Sequence, residues 1–269
     1  MKFKVGIGNP FPGDGETDIK TVTSLWHEAC DYLAIEYKNG TSPFCIEICD
    51  LVSALNAGAT CMTDNAAFKK RYEKKETNGF WCYLDIIYRK KNFPGSKPPV
   101  EDISYFLQNL FLAMNLCMAG GCHLYRCTFP ANPIHEAWAP SLNGHPLEFA
   151  WRAAARWRWP LLQTLDFEKV WQWLVRVSLL DAVVAKSPAQ VAGFAMIEIA
   201  AQNVVEPKDI IMISQTLETL FVEEHDGISR RLKNRIKLVL GEPPTDKKWL
   251  TRLYETRSKI VHGAFPAEL

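Results

Sequence analysis

The chain has no long apolar run, and this absence limits where it can act. No stretch approaches the roughly 20 consecutive apolar residues that a membrane-spanning helix needs. The first residues are basic but are not followed by the apolar segment of a secretory signal. The 31 basic and 30 acidic residues nearly cancel, giving a formal net charge of +1. We therefore expect a cytoplasmic protein that does not act at a membrane.

The chain also lacks the standard spacings of several functional sites. Its early glycines form neither a P-loop nor a dinucleotide-binding fingerprint, and no two histidines have the spacing of a zinc-protease helix. Eight cysteines occur among 269 residues, all in the first half, and no two of them form a Cys-x-x-Cys pair. Without a secretory signal, this pattern favours reduced and mostly buried thiols over a metal site. The sequence therefore predicts no metal ion and no other cofactor.

The composition of the chain changes between residues 130 and 165. Residues 1–150 alternate candidate strands with apolar-faced helices, which predicts an α+β domain whose role is unknown but suits a sensor or recognition function. Prolines recur between 130 and 146, and a segment rich in Trp and Arg follows at 151–159, so 130–165 is predicted to be a connector. Interleaved tryptophans and arginines can stack on unpaired bases, but they more often pack between domains.

Residues 165–269 have the pattern of an all-α helical domain. Apolar residues at helical spacing predict five helices. Their predicted positions are 167 to about 180, a segment after Ser187-Pro188, a segment from about 209 or 214 to 224, 229–240, and 246–262. Gly241 and Gly263 are predicted to end the last two, and Asp246 to begin the last.

The last predicted helix carries an arginine in its apolar stripe. The stripe runs through Trp249, Leu250, Leu253 and Tyr254 to Ile260 and Val261, and Arg257 occupies the position after Tyr254. A guanidinium keeps its charge at working pH and is expensive to bury unpaired. Arg257 therefore needs an anionic partner, which could be a carboxylate such as Glu218, a phosphate or a helix terminus.

His262 follows Arg257 by five residues, at the predicted C-terminus of the same helix. Five helical residues advance by about 500°, so the two side chains point roughly 140° apart. One regular helix thus does not direct both side chains at one point. They converge if the helix loosens at its end, if the long arginine reaches round, or if a second copy faces the first. A proton-transferring histidine beside a fixed cation suits phosphodiester cleavage.

The segment Leu253-Tyr254-Glu255-Thr256-Arg257-Ser258-Lys259-Ile260-Val261-His262-Gly263 resembles the closing motif of the HEPN superfamily (higher eukaryotes and prokaryotes nucleotide-binding). More narrowly it resembles the Apea-like HEPN group, whose last helix has Leu-Tyr, then Arg-Asn or Arg-Ser, then Val-His-Gly. Upstream, Leu217 to Phe221 resembles the Leu-Glu-x-Leu-Phe helix of the group, and Arg230 to Leu240 resembles its basic connecting helix. The resemblance covers about residues 165–269.

The resemblance implies a dimeric helical bundle in which the two Arg/His motifs meet at the interface. Many such proteins are metal-independent endoribonucleases that act in phage defence, abortive infection or toxin systems. It implies catalytic roles for Arg257 and His262, with Ser258 orienting one of them. It also implies RNA as substrate, a second copy as partner, and an antitoxin or another defence-system protein as a further partner. Some members only bind, so a non-catalytic RNA-, nucleotide- or protein-binding module remains the alternative.

The local charge of the C-terminal helices favours nucleic-acid binding independently of the resemblance. Residues 228–262 contain ten Lys or Arg and three acidic residues, a net charge of +7, although the whole chain carries +1. A local basic surface is typical of phosphate binding, whereas solvated lysines on amphipathic helices are the simpler explanation. The candidate RNA-binding residues are Arg230, Arg231, Lys233, Arg235, Lys247, Lys248, Arg252 and Lys259.

Overall fold

The structure is a computed structural model. It describes residues 2–8, 16–49, 80–88, 100–128, 142–161, 163–177, 187–202, 206–222, 228–244 and 248–263. Three predictions concern residues outside these ranges. They are most of the proline-rich stretch at 130–146, the helix start at Asp246 and the candidate RNA-binding residue Lys247.

The N-terminal part contains a four-stranded antiparallel sheet with the strand order β2-β3-β1-β4. Its strands are β1 (Lys2–Gly8), β2 (Phe44–Cys49), β3 (Phe80–Tyr88) and β4 (Leu124–Thr128). Helix α1 (Glu16–Asn39) connects β1 to β2, and helix α2 (Val100–Cys117) lies between β3 and β4 in the chain. Among the described elements, this β-α-β-β-α-β order, with β3 between β1 and β2, is the split βαβ arrangement of ferredoxin-like topologies. The prediction that helices and a sheet combine in this part is confirmed.

The core of this part is built around α2, whose apolar side chains are buried on almost every side. Ile103, Leu110, Phe111 and Met114 have no exposed surface. From α1, the buried indole of Trp26 donates a hydrogen bond from Nε1 to the carbonyl of Gly121 at 3.2 Å. The expected apolar helix thus forms here, and it packs against α1 and, through the stacked rings of Phe106 and Phe44, against β2.

The turn after α2 depends on Gly120. Gly120 has a φ of +84°, and a Cβ added there would lie 2.6 Å from the Cβ of Glu148. The side chain of Asn115 accepts the N–H of Gly120 at 2.8 Å and donates to the carbonyl of Cys122 at 3.1 Å. These bonds satisfy two backbone groups of the turn that follows the helix.

Helix α4 (Phe167–Val177) packs in the N-terminal unit, which differs from the predicted division of the chain. The chain forms two compact units, one of residues 1–148 with 164–176 and the other of residues 149–163 with 177–269. The N–H of Phe167 donates to Glu28 Oε1 at 2.9 Å, and the rings of Trp171 and Phe106 lie edge to face at 5.8 Å. The sequence placed 165–269 in one helical domain because an apolar stripe does not tell which partner it packs against.

The second unit is helical in the described residues. Helix α3 (His145–Trp157) enters it at residue 149, and the further helices are α5 (Pro188–Ala201), α6 (Pro207–Phe221), α7 (Ile228–Leu240) and α8 (Trp249–Val261). Helix α5 packs on α6, and α6 packs on α7 and α8. Ser187 begins α5 with the reciprocal bonds of a capping box to Gln190. Gly241 and Gly263 follow α7 and α8 with positive φ, as predicted.

Two predicted helix starts differ from the structure. Helix α6 begins at Pro207, earlier than the predicted 209 or 214, because proline fits the first position of a helix and Glu206 with Asp209 completes a capping box. Helix α8 begins at Trp249 after Lys248. In the part of the chain that the structure describes, no helix combines the length and apolar character needed to cross a bilayer.

Candidate functional site

Helix α8 presents the predicted stripe to the rest of its unit. Leu250 is buried and packs with Leu232 and Ile236 of α7, while Leu253 and Tyr254 are half-buried against this cluster. Arg257 also lies on this inward side, with 31% of its side chain exposed. Val261 was predicted to belong to the stripe, and this was wrong, since 57% of it is exposed. The packed stripe therefore ends before the last helical residue.

The anionic partner of Arg257 within the chain is Glu218 of α6. Arg257 Nη1 lies 3.4 Å from Glu218 Oε1, and 20% of the Glu218 side chain is exposed. The sequence had identified Glu218 as a candidate partner. The contact joins one nitrogen to one oxygen, so it is not the bidentate fork that gives an arginine–carboxylate pair its greatest strength.

Tyr254, one turn before Arg257 on α8, completes this group. Its hydroxyl donates to the same Glu218 Oε1 at 2.7 Å, and the guanidinium carbon of Arg257 lies 5.8 Å from the centre of its ring. Burial raises the pKa of the Tyr254 phenol, and the hydrogen bond to Glu218 and the negative charge of that carboxylate raise it further. The phenol therefore stays a neutral hydrogen-bond donor through the physiological range. We call Glu218, Tyr254 and Arg257 the α6–α8 polar cluster.

One donor of Arg257 is unused. Its Nε is buried and has no hydrogen-bond partner. A buried N–H without an acceptor costs roughly 1–3 kcal/mol. The guanidinium is therefore contacted on one side by a carboxylate and an aromatic ring, but its hydrogen-bonding capacity is not filled.

His262 and Ser258 are exposed at the end of the same helix. His262 is the C-cap residue, and its backbone N–H donates to the carbonyl of Ser258 at 3.0 Å. Among the described residues, the side-chain contacts of Arg257 are with Glu218 and Tyr254, and neither His262 nor Ser258 is among them. A single chain thus does not bring the predicted catalytic pair together, in line with the roughly 140° that separates them on a helix.

The candidate RNA-binding residues lie on the outer sides of α7 and α8. Leu232 and Ile236 are the buried residues of α7, which leaves its basic positions toward solvent. The exposed ones are Arg230, Lys233, Arg235, Lys248, Arg252 and Lys259, and Arg231 is half-buried. Both helices thus carry positive charge outside the apolar cluster, as the sequence predicted.

Two basic residues of α7 also have structural contacts. Arg235 Nη1 donates to the carbonyl of Phe221 at 2.9 Å and so caps the end of α6. Lys237 forms an ion pair with Glu242 at 2.6 Å. The role of Arg235 in the fold is independent of RNA, so its positive charge alone does not identify it as a phosphate ligand.

The Trp- and Arg-rich segment divides between packing and exposure. The indole N–H of Trp159 donates to the carbonyl of Gly241 at 3.1 Å, and its ring lies 5.6 Å from that of Trp249. Trp157 is 51% exposed. Trp159 therefore packs within the apolar cluster of the second unit, whereas the sequence favoured packing between domains.

In the described part of the chain, Cys30, Cys45, Cys117 and Cys122 form no disulfide, and the last three are buried. Burial raises the pKa of Cys117 to about 12, and the carboxylates of Glu28 and Asp166 contribute in the same direction. Within the described ranges, no group of three His, Cys, Asp or Glu side chains is arranged to hold a metal ion.

The tyrosine of this cluster was missed as a functional candidate. The sequence treated Tyr254 as an apolar member of the stripe, although it lies three residues before Arg257 and hence on the same side of the helix. A tyrosine beside a charged residue on an inward face indicates a hydrogen-bonded network, because a buried hydroxyl usually finds a partner.

Comparisons with protein-family models, with curated proteins and with solved structures find no match to this chain.

Proposed function

We propose that the chain is a metal-independent endoribonuclease of the HEPN type, acting as a homodimer. The observation that supports the proposal most directly is the placement of Arg257. Glu218 contacts it on the inward side of α8, yet 31% of its side chain is exposed, and an exposed histidine ends the same helix. Helices α7 and α8 also carry exposed basic residues, which offer contacts to the phosphates of the RNA backbone.

The proposed reaction is an internal transfer at one RNA phosphate. The 2′-oxygen attacks the adjacent phosphorus and loses its proton to a base, while the bond from phosphorus to the 5′-oxygen breaks and that oxygen takes up a proton. The products are a 2′,3′-cyclic phosphate end and a 5′-hydroxyl end. His262 acts as general base or general acid, Arg257 stabilises the charge on the phosphorus oxygens, and Ser258 orients one of them.

A dimer supplies the convergence that one chain lacks. Two copies related by a twofold axis present the same surface to each other, so each motif approaches its own duplicate. His262 of one protomer can then face Arg257 of its partner across a bound phosphate. We extend the proposal to a cytoplasmic role in phage defence, abortive infection or toxin activity, with an antitoxin or another defence-system protein as partner.

The test is RNA cleavage by purified protein with and without a chelator. We expect cleavage in EDTA, with cyclic phosphate ends on the products. His262→Ala and Arg257→Ala should each lower the rate by about 10²–10⁴, as loss of acid–base or charge-stabilising groups does. His27→Ala and Arg176→Ala, at exposed positions of α1 and α4, are the matched controls and should leave the rate unchanged. Equal cleavage by wild type and His262→Ala would reject the assignment.

A second candidate is a non-catalytic module that binds RNA, nucleotide or protein. The contact between Arg257 and Glu218 favours it, because a carboxylate already provides the negative charge that the arginine needs. Binding of RNA without cleavage, unchanged by EDTA and by His262→Ala, would support this candidate. The single-nitrogen contact and the partial exposure of Arg257 weigh for the nuclease, since a purely structural pair gains most from two-point contact.

A further inference from the structure

The α6–α8 polar cluster holds the arginine through a single oxygen. Glu218 Oε1 accepts the Tyr254 hydroxyl at 2.7 Å and also lies 3.4 Å from Arg257 Nη1. The two contacts come from side chains one turn apart on α8, while the carboxylate comes from α6. The cluster thus ties the position of the guanidinium to the packing of two helices.

The ring of Tyr254 is a second contact that restricts the position of the Arg257 guanidinium. The guanidinium carbon is 5.8 Å from the ring centre, within the range of a cation–π contact. An arginine side chain has four rotatable bonds and loses considerable rotamer entropy when it is fixed. Because Glu218 and the Tyr254 ring hold the guanidinium before any ligand binds, this rotamer entropy is lost on folding and not on binding. Preorganised electrostatic stabilisation has this basis.

The cluster leaves Arg257 capacity for a further ligand. Glu218 contacts one terminal nitrogen, Nη1, and 31% of the Arg257 side chain remains exposed to a ligand. A guanidinium has five N–H donors, and phosphate is bound best by two of them side by side. Glu218 and Tyr254 thus hold the arginine in place and leave it hydrogen-bond donors for a phosphate.

We propose that Glu218 and Tyr254 are positioning residues that orient Arg257 toward the scissile phosphate of RNA. This inference rests on the proposed nuclease function. Neither residue touches the reacting atoms. Glu218 acts through the guanidinium, and Tyr254 acts through Glu218 and through its ring.

The test compares single-turnover cleavage with binding of a fully 2′-O-methylated RNA, which cannot be cleaved. Glu218→Gln and Tyr254→Phe should each lower the cleavage rate about 10-fold or more, because misplacing a group by an ångström can cost up to about 100-fold. Their affinity for the methylated RNA should stay within about threefold of wild type. Glu255→Gln, an exposed change on the same helix, is the matched control and should change neither quantity.

A double-variant cycle separates positioning from general stability. If Glu218 acts through Arg257, Glu218→Gln should cause no further loss of rate in the Arg257→Ala background. An equal loss in both backgrounds would overturn the inference. So would a faster rate or tighter RNA binding of Glu218→Gln, because it would mean that the carboxylate competes with phosphate for the arginine.

An NMR measurement makes failure of the inference distinguishable from failure of the proposed function. The Nε–H signal of Arg257 should exchange slowly with water in the wild type and at least 10-fold faster in Tyr254→Phe or Glu218→Gln, since loss of either contact frees a buried group. If exchange is unchanged in both variants, the positioning inference fails whatever the activity. If the wild type cleaves no RNA, the proposed function fails, and the inferred orientation toward a scissile phosphate fails with it even where exchange responds as expected.

Discussion

Helices α2 and α7 belong to different units and are stabilised in different ways. Helix α2 buries apolar side chains on almost every side, including Leu110 and Phe111, which have no exposed surface. Helix α7 buries only a narrow stripe of Leu232 and Ile236, and Leu238 and Val239 are 84% and 67% exposed. Helix α2 therefore serves a closed core. Helix α7 keeps most of its circumference, including most of its basic residues, on the surface.

The largest expected difference comes from matched leucine truncations in the two helices. Leu110→Ala in α2 should lower the free energy of unfolding by about 2–5 kcal/mol, because it removes a fully buried side chain and leaves a cavity. Leu238→Ala in α7 should change it by less than about 0.5 kcal/mol. Urea denaturation followed by circular dichroism gives both values. A cost above 1 kcal/mol for Leu238→Ala that grows with protein concentration would instead show that this surface is buried in an assembly.

Thiol labelling tests the closed core of the first unit by itself, because every cysteine precedes residue 128. The pKa of Cys117 is raised from 9.0 to about 12, so its thiolate fraction at pH 8 is about a thousandfold smaller than in the unfolded chain. Native protein should therefore react with iodoacetamide at Cys117 at least about tenfold more slowly than protein in urea, because the greater nucleophilicity of a thiolate of higher pKa offsets part of its lower population. Mass spectrometry of the labelled peptides gives the rates, and half-exposed Cys30 provides the internal comparison.

The same shift predicts how alkaline pH acts on this unit. The folded-state pKa of Cys117 is above the unfolded value, so its contribution to stability is fully present below about pH 9 and is lost as the pH rises toward about 12. Denaturation midpoints measured from pH 8 to pH 11 should fall for the wild type and fall less for Cys117→Ala. Parallel curves would contradict the expectation.

The smallest expected effect on stability distinguishes two basic residues of α7, Arg235 with its structural hydrogen bond and the exposed Lys233. Arg235→Ala should lower the free energy of unfolding by about 0.5–1 kcal/mol, because it removes the hydrogen bond to the carbonyl of Phe221 at the end of α6. Lys233→Ala, two residues away and exposed, should have almost no effect on stability. If Lys233 binds phosphate, its loss should reduce the dependence of RNA affinity on log salt by about one. Equal destabilisation by the two variants would remove the distinction.

Much of the local structure could be predicted from the sequence. Helix ends marked by Gly241 and Gly263 lie where predicted, since a left-handed residue is a local requirement that glycine meets at low cost. The inward placement of Arg257 followed from helical spacing. The exposure of Val261 did not, because spacing does not tell where the neighbouring helices end.

The sequence by itself determined the elements, the apolar stripe that includes Arg257, and the local excess of positive charge in α7 and α8. These depend on residue type and on spacing along one helix. Only the tertiary structure decided that α4 packs with the first unit, and that Glu218 receives both Tyr254 and Arg257 on one oxygen. Both outcomes depend on which surfaces meet across long separations in the chain, and an apolar or charged pattern does not specify its partner.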